Sequence, residues 1–263
     1  MTDLILRDGE RIDDVNESIR LIQKTKGLTF GSDAYLLAAY MKSSKRATAA
    51  ELGGGTGIIS LIAAAREKFS KIYVLEVQEE FSELCERNAS LNSLSDKINP
   101  ICADVRGASA STLGGEVDVV FSNPPYMKAD SGKRNEHDEK FIARHEVCGD
   151  ISDFCAAARR LLKFGGLFYC VYRPDRLTDL FAALRENSLE VKNMTFVSSD
   201  SKTAPSMVLI EAKKGAAPGM KISPPLFLNC EDEDRSGARK LSPDAEWIYE
   251  NCSFENFLKG SVK

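Results

Sequence analysis

The chain has 263 residues, 43% hydrophobic and 28% charged, which suits one soluble α/β domain with an extension. A formal net charge of −4 argues against wholesale electrostatic binding of duplex nucleic acid, while leaving room for a local basic face. The longest apolar run, around Ile58–Ala65, is too short to cross a bilayer, and Met1-Thr2-Asp3-Leu4 lacks the flank and cleavage site of a signal peptide.

After a short N-terminal segment, Leu28–Tyr40 reads as a turn and a helix, with Ser32 or Asp33 as N-cap and Leu36, Leu37 and Tyr40 on one face. Ala47–Leu52 is a short apolar strand, followed by glycines and a helix over Ile58–Lys68. Lys71–Val77 is a β-branched second strand, and Phe81, Leu84 and Cys85 recur at helical spacing in Glu79–Leu91. Ile98–Ala103 and Val117–Phe121 are the third and fourth strands. Ile151–Leu162 is a helix that Gly165-Gly166 are placed to end. Leu167–Tyr172 is a fifth strand, and Pro174–Glu186 a helix with proline in its first turn. Val191–Val197 and Met207–Lys213 are two strands joined by a polar loop.

Strands and helices alternate through Tyr172, which implies right-handed crossovers and a parallel sheet. The last two strands lack an intervening helix, so the final one is expected to be antiparallel in a seven-stranded, Rossmann-like α/β fold. Three parts are expected: an N-terminal segment (1–45) closing over a ligand site, a domain (46–214) and a tail (215–263). Gly215–Pro225 and the acidic Glu231–Asp234 mark the tail as loosely packed. Trp247, Ile248, Phe254 and Phe257 suffice there for a short docking helix.

Chemistry-bearing residues gather at strand ends. Glu51-Leu52-Gly53-Gly54-Gly55-Thr56-Gly57 lies between the first strand and its helix. Glycines there let the backbone approach a ligand, and the helix N-terminus offers free N–H groups to a carboxylate. A dinucleotide site wants G-x-G-x-x-G, but the sixth position from Gly53 is Ile58, so a nicotinamide oxidoreductase is disfavoured. The spacing fits E/D-x-G-x-G-x-G, a loop for S-adenosylmethionine. Glu76 ends the second strand and offers two acceptor oxygens to a ribose diol. Asp104 ends the third and is placed to accept an adenine amine. Asn123-Pro124-Pro125-Tyr126 ends the fourth, where a proline also serves simply to stop a strand.

Together the tetrad and the loop resemble the amino-directed methyltransferases of nucleic acids and proteins. The finer resemblance is to the bacterial tRNA1(Val) adenine-N6 methyltransferases. It rests also on Gly9-Glu10-Arg11-Ile12-Asp13-Asp14, Gly31-Ser32-Asp33-Ala34, Ala143-Arg144-His145-Glu146 and Arg173-Pro174-Asp175-Arg176-Leu177, and covers roughly residues 5–215. One departure is Glu51, where an Asp is commoner. The resemblance implies a class I fold, S-adenosylmethionine as cofactor, and a tRNA adenine as substrate. The alternatives are ribosomal RNA, DNA adenine, a protein glutamine side chain, or a cofactor-binding scaffold without catalysis.

On this reading the Asn123 oxygen and the Pro124 carbonyl accept the two N–H bonds of the substrate amine. Pro125 stiffens the loop, and Tyr126 stacks on the base. Gly53, Gly55, Thr56, Gly57, Glu51, Glu76 and Asp104 line the cofactor, with Asp33 at its methionine end; the other reading of Asp33 is a helix cap. Lys128, Lys133, Arg134 and Arg144, with His145, are the candidate RNA contacts. Other basic clusters, Lys24/Lys26, Lys42/Lys45/Arg46, Arg159/Arg160/Lys163 and Lys213/Lys214, read first as solvated surface. No metal is expected: the two histidines, His137 and His145, lack zinc-ligand spacing, and the seven cysteines form no CxxC pair. Buried free thiols fit a reducing cytoplasm, and a monomer or homodimer without membrane contact is expected.

Overall fold

The computed structural model describes residues 6–25, 31–124, 149–233 and 239–259. Its centre is a sheet built from β3 (Thr48–Leu52), β4 (Lys71–Glu76), β5 (Ile98–Cys102), β6 (Val117–Ser122), β7 (Leu162–Tyr172), β8 (Leu189–Ser198) and β9 (Met207–Lys214). The spatial order is β8-β9-β7-β6-β3-β4-β5, and β9 runs antiparallel between β7 and β8. This is the expected seven-stranded arrangement. Two short strands, β10 (Lys221–Ile222) and β11 (Leu226–Phe227), extend the β8 edge in parallel.

Both faces are covered, which is why the central strands are near-continuous apolar runs. One face carries α1 (Ser32–Tyr40), α2 (Ile58–Ala65) and α3 (Glu79–Leu91); the other carries α5 (Ile151–Leu161) and α6 (Leu177–Glu186). A single turn, α4 (Ala110–Leu113), precedes β6. Asp150 caps α5 by accepting from the Ser152 and Asp153 N–H groups, worth about 1 kcal/mol for such a cap.

Four expectations change. The N-terminal segment is a hairpin, β1 (Glu10–Asn16) and β2 (Ile19–Lys24), lying on α3. Arg87 of α3 ion-pairs with Glu10 and holds that carboxyl down to about 2. The cap of α1 is Gly31, not Ser32 or Asp33, and no side chain bonds to it. Gly165-Gly166 do not end α5, which stops at Leu161. They form an irregularity inside β7, with Gly165 at φ +77° and the register against β6 shifted between Val117 and Val119. This is a bulge, and the positive φ is what requires glycine.

The fourth change concerns the tail, which is packed rather than loose. The helices α7 (Pro243–Asn251) and α8 (Glu255–Leu258) bury Ile248, Cys252, Phe254 and Phe257 in the core cluster that contains α1. Phe254 meets Tyr40 edge-on at 5.2 Å, and Tyr35 donates its hydroxyl to the Tyr249 carbonyl at 2.5 Å. Helix α1 is consequently buried on nearly every side, between sheet and tail, as its continuous apolar sequence requires. A further hairpin pairs β12 (Asn229–Glu233) with β13 (Arg239–Leu241).

Candidate active site

The site lies where β3, β4, β5 and β6 end. In parallel sheets this edge gathers the loops at the point where strand order reverses, here between β3 and β6. The glycine loop is pinned from below: Gly53 and Gly54 donate their N–H groups to the Leu75 carbonyl at 2.9 and 3.1 Å. Gly53, Gly55 and Gly57 all have positive φ. A Cβ at Gly54 would sit 2.2 Å from Val74 Cγ1, and one at Gly57 2.4 Å from Cys85 Sγ, so the loop presses onto β4 and α3. A Cβ at Gly55, by contrast, would meet nothing within 4 Å. Its backbone faces open space, a cradle a ligand can approach.

Glu76 stands at the rim of that cradle. One oxygen accepts from Gly55 N and the other from Gln78 N, each at 3.0 Å, which fixes the carboxylate plane. Asp104 is placed at the end of β5, but its carboxylate is engaged by the Arg106 side chain and N–H, which hold it below the usual carboxylate range. Arg160 of α5 donates to the Ala108, Val105 and Arg106 carbonyls and shapes the same loop. That arginine is exposed, as expected, and from the surface it clasps the loop.

Glu51 requires correction. Its carboxyl lies under the loop at 1% exposure and accepts from the Ser60 N–H and hydroxyl, so it braces the loop instead of facing a ligand. Burial pushes this carboxyl up to about 8, which leaves it protonated at neutral pH. The folded state therefore keeps a proton that the unfolded chain releases above about 4.5, and stability falls as pH rises from there to about 8. Glu51→Gln, an isostere of the protonated acid, is expected to match the wild-type Tm near pH 5 and to exceed it increasingly up to pH 8. A pH-independent difference in thermal melts would mean that Glu51 is ionised.

At the end of β6, the Ser122 hydroxyl donates to the Leu52 carbonyl at 2.7 Å and ties this strand end to the start of the glycine loop. Asn123 follows, with Pro124 buried behind it. The Asn123 Nδ2 donates to Asp33 Oδ2 at 2.8 Å. Asp33, expected at the methionine end of a cofactor, is thus engaged by Asn123, at the N-terminus of α1. Tyr249 of α7 lies beside Ser32 and Asp33, and burial raises its phenol above the ordinary range. Pro125, Tyr126, Lys128, Lys133, Arg134, Arg144 and His145 lie outside the described residues. Of the other basic clusters, Lys24, Lys42, Lys45 and Lys163 pair with Glu80, Glu211, Glu67 and Asp118.

The strand order, with an antiparallel strand inserted beside β7 and a glycine cradle at the first strand's end, defines a class I methyltransferase. The methyltransferase small domain family matches residues 25–194, and the chain belongs to that family. Its cofactor is S-adenosylmethionine. A tRNA1(Val) (adenine(37)-N6)-methyltransferase of Phocaeicola vulgatus is 28% identical over 187 residues, 70% of this chain and 76% of the relative. One of Porphyromonas gingivalis is 27% identical, over 69% of this chain and 72% of its own length. The solved structure of a predicted O-methyltransferase from Agrobacterium tumefaciens aligns with a TM-score of 0.66 at 22% identity, over 84% of this chain and 97% of that one. A tRNA m1G37 methyltransferase of M. jannaschii gives 0.53 at 19%, over 80% and 58%. The structural likenesses concern the fold.

Sequence reasoning missed Ser60, Asn88, Ser122, Arg160 and Tyr249. Ser60 meets Glu51 across nine residues, Asn88 meets Thr56 across 32 and Ser122 meets Leu52 across 70, and no local pattern marks any of them.

Proposed function

We propose that this methyltransferase alkylates the exocyclic N6 amine of an adenine in tRNA, within the anticodon loop of tRNA1(Val). The observation that carries the reading is the Asn123-Pro124 step at the end of β6, held beside the glycine loop by Ser122 and Asp33. Relatives carrying that activity in their names match about 70% of the chain, which supports the substrate.

An adenine amine is a poor nucleophile because its lone pair is delocalised into the ring. Asn123 Oδ1 and the Pro124 carbonyl accept its two N–H bonds. They favour pyramidal nitrogen and its developing positive charge over the planar ground state. S-adenosylmethionine, when bound, supplies a methyl group on a sulfonium. Gly53, Gly55, Thr56 and Gly57 give the backbone approach that holds it, Glu76 takes the ribose hydroxyls, and the loop at Asp104 flanks the adenine. With Asp104 held by Arg106, adenine recognition through that side chain requires the arginine to swing aside. Tyr126 stacks on the target base, a contact of about 1–3 kcal/mol. No strong general base is needed, since the amine becomes acidic only after the transfer.

The test is methyl transfer from labelled S-adenosylmethionine to tRNA isolated from a strain lacking the activity, with ribosomal RNA, DNA and protein as parallel acceptors. The expected result is N6-methyladenosine in digested tRNA1(Val). Label only in another acceptor, or in none, overturns the substrate assignment.

A further inference from the structure

We propose that Asp33 is a positioning residue that sets the orientation of the Asn123 carboxamide, so that its oxygen and not its NH2 group meets the substrate amine. The inference rests on the amine-clamp reading above and adds to the clamp of Asn123 and Pro124 a residue that orients it, 90 residues from Asn123 in sequence.

A carboxamide has two ends of nearly equal size and opposite chemistry: one accepts, the other donates. Only the accepting end can take an N–H of the substrate, so a flipped Asn123 places a donor against a donor. An ionised carboxylate accepts only, and therefore the end of Asn123 within 2.8 Å of Asp33 Oδ2 must be Nδ2. Charge-assisted bonds of this kind are about twice as strong as neutral ones, which biases the rotation decisively.

Asp33 is itself held. Its Oδ1 accepts from the Ala34 N–H at 2.9 Å, in the first turn of α1, where the helix dipole favours negative charge. The side chain folds back over Gly31, where a Cβ would lie 2.9 Å from Oδ1. Glycine there leaves the carboxylate its place. The base of α1 is immobilised by burial of Ala34 through Tyr40, with Tyr249 packed beside it.

The experiment compares wild type, Asp33→Asn, Asn123→Ala and the double variant. It measures kcat and KM for tRNA methylation, the calorimetric Kd for S-adenosylhomocysteine, and the side-chain NH2 signals of the ligand-free protein by NMR. Asp33→Asn keeps shape but offers both a donor and an acceptor, so the carboxamide loses its bias. The expected result is a kcat lower by about 10- to 100-fold, as for other small misplacements of a catalytic group. KM and the Kd are expected to stay within about twofold, and the double variant to be no slower than Asn123→Ala alone. The Asn123 NH2 signal, assigned by its absence in Asn123→Ala, is expected to shift upfield in Asp33→Asn. A Kd raised about tenfold, with kcat unchanged at saturation and the NH2 signal unmoved, makes Asp33 a cofactor ligand and overturns the proposal. If Asn123→Ala collapses and Asp33→Asn stays at wild-type kcat, positioning alone fails. If Asn123→Ala itself keeps full activity, the amine clamp fails and positioning falls with it.

Discussion

Replacing Asn123 with alanine is expected to lower kcat by about 10²–10³-fold, the usual effect of removing one preorganised group aimed at developing charge. Affinity for S-adenosylhomocysteine should stay within about twofold of wild type, because the glycine loop and Glu76 are fixed by other bonds. Gly53 and Gly54 are anchored on the Leu75 carbonyl, and Glu76 is oriented by Gly55 and Gln78. None of these passes through Asn123. The variant also leaves Ser122 on Leu52, so the strand end keeps its place. What disappears is one acceptor, at the moment the nitrogen becomes pyramidal and its hydrogens more positive. KM for tRNA should change little, since most contacts with a large RNA lie elsewhere. Single-turnover methylation at saturating cofactor, beside calorimetry, measures both quantities. A rate within about threefold of wild type would remove the amine clamp from the mechanism.

Much of the frame was legible because the physics that forms it is local. Val117–Phe121 is apolar and buried except at Asp118, which lies near the start of the strand, and α3 shows its packed residues at helical spacing, so both are legible to within a residue. Sites at strand ends followed from the topology. The hairpin β1–β2 was not legible: its sequence carries acids and bases, and its position depends on Asn88, Asn92 and Arg87 of a helix more than 60 residues away. Gly165-Gly166 look like a helix stop because glycine serves turns and bulges equally well; only the pairing of Val117 with Leu162 decides between them. Glu51 was misplaced for a related reason. A motif gives a residue's position along the loop but not whether the side chain points up to a ligand or down to Ser60. The Asp33–Asn123 bond joins two motifs that each suggested a separate role.

Asn88→Ala is expected to be the most damaging substitution outside the clamp. The Asn88 side chain is fully buried; it accepts from Ile22 N at 2.7 Å and donates to the Ile22 and Thr56 carbonyls at 3.0 Å each. With Asn92, one helical turn on, it acts as a surrogate strand: Asn92 accepts from Arg20 N and donates to Arg20 O in the same way. Residues 20 and 22 share one orientation on β2, and positions four apart share one face of α3, so two asparagines reproduce two rungs of a ladder. The third bond of Asn88 reaches the glycine loop at Thr56 and couples the hairpin to the cofactor cradle. Alanine leaves three backbone groups without that partner. At about 1–3 kcal/mol for each buried group, the loss is roughly 3 kcal/mol or more. That lowers Tm by roughly 6–12 °C in a chain of this size. Asn92 bonds at the surface, where water can replace it, so Asn92→Ala should cost about 1 kcal/mol at most. Thermal melts of the two variants separate burial from bond count, and calorimetry of the folded Asn88→Ala protein should show weakened S-adenosylhomocysteine binding through Thr56. Equal melting temperatures for the two variants would refute the idea that burial makes Asn88 the hinge between hairpin and loop.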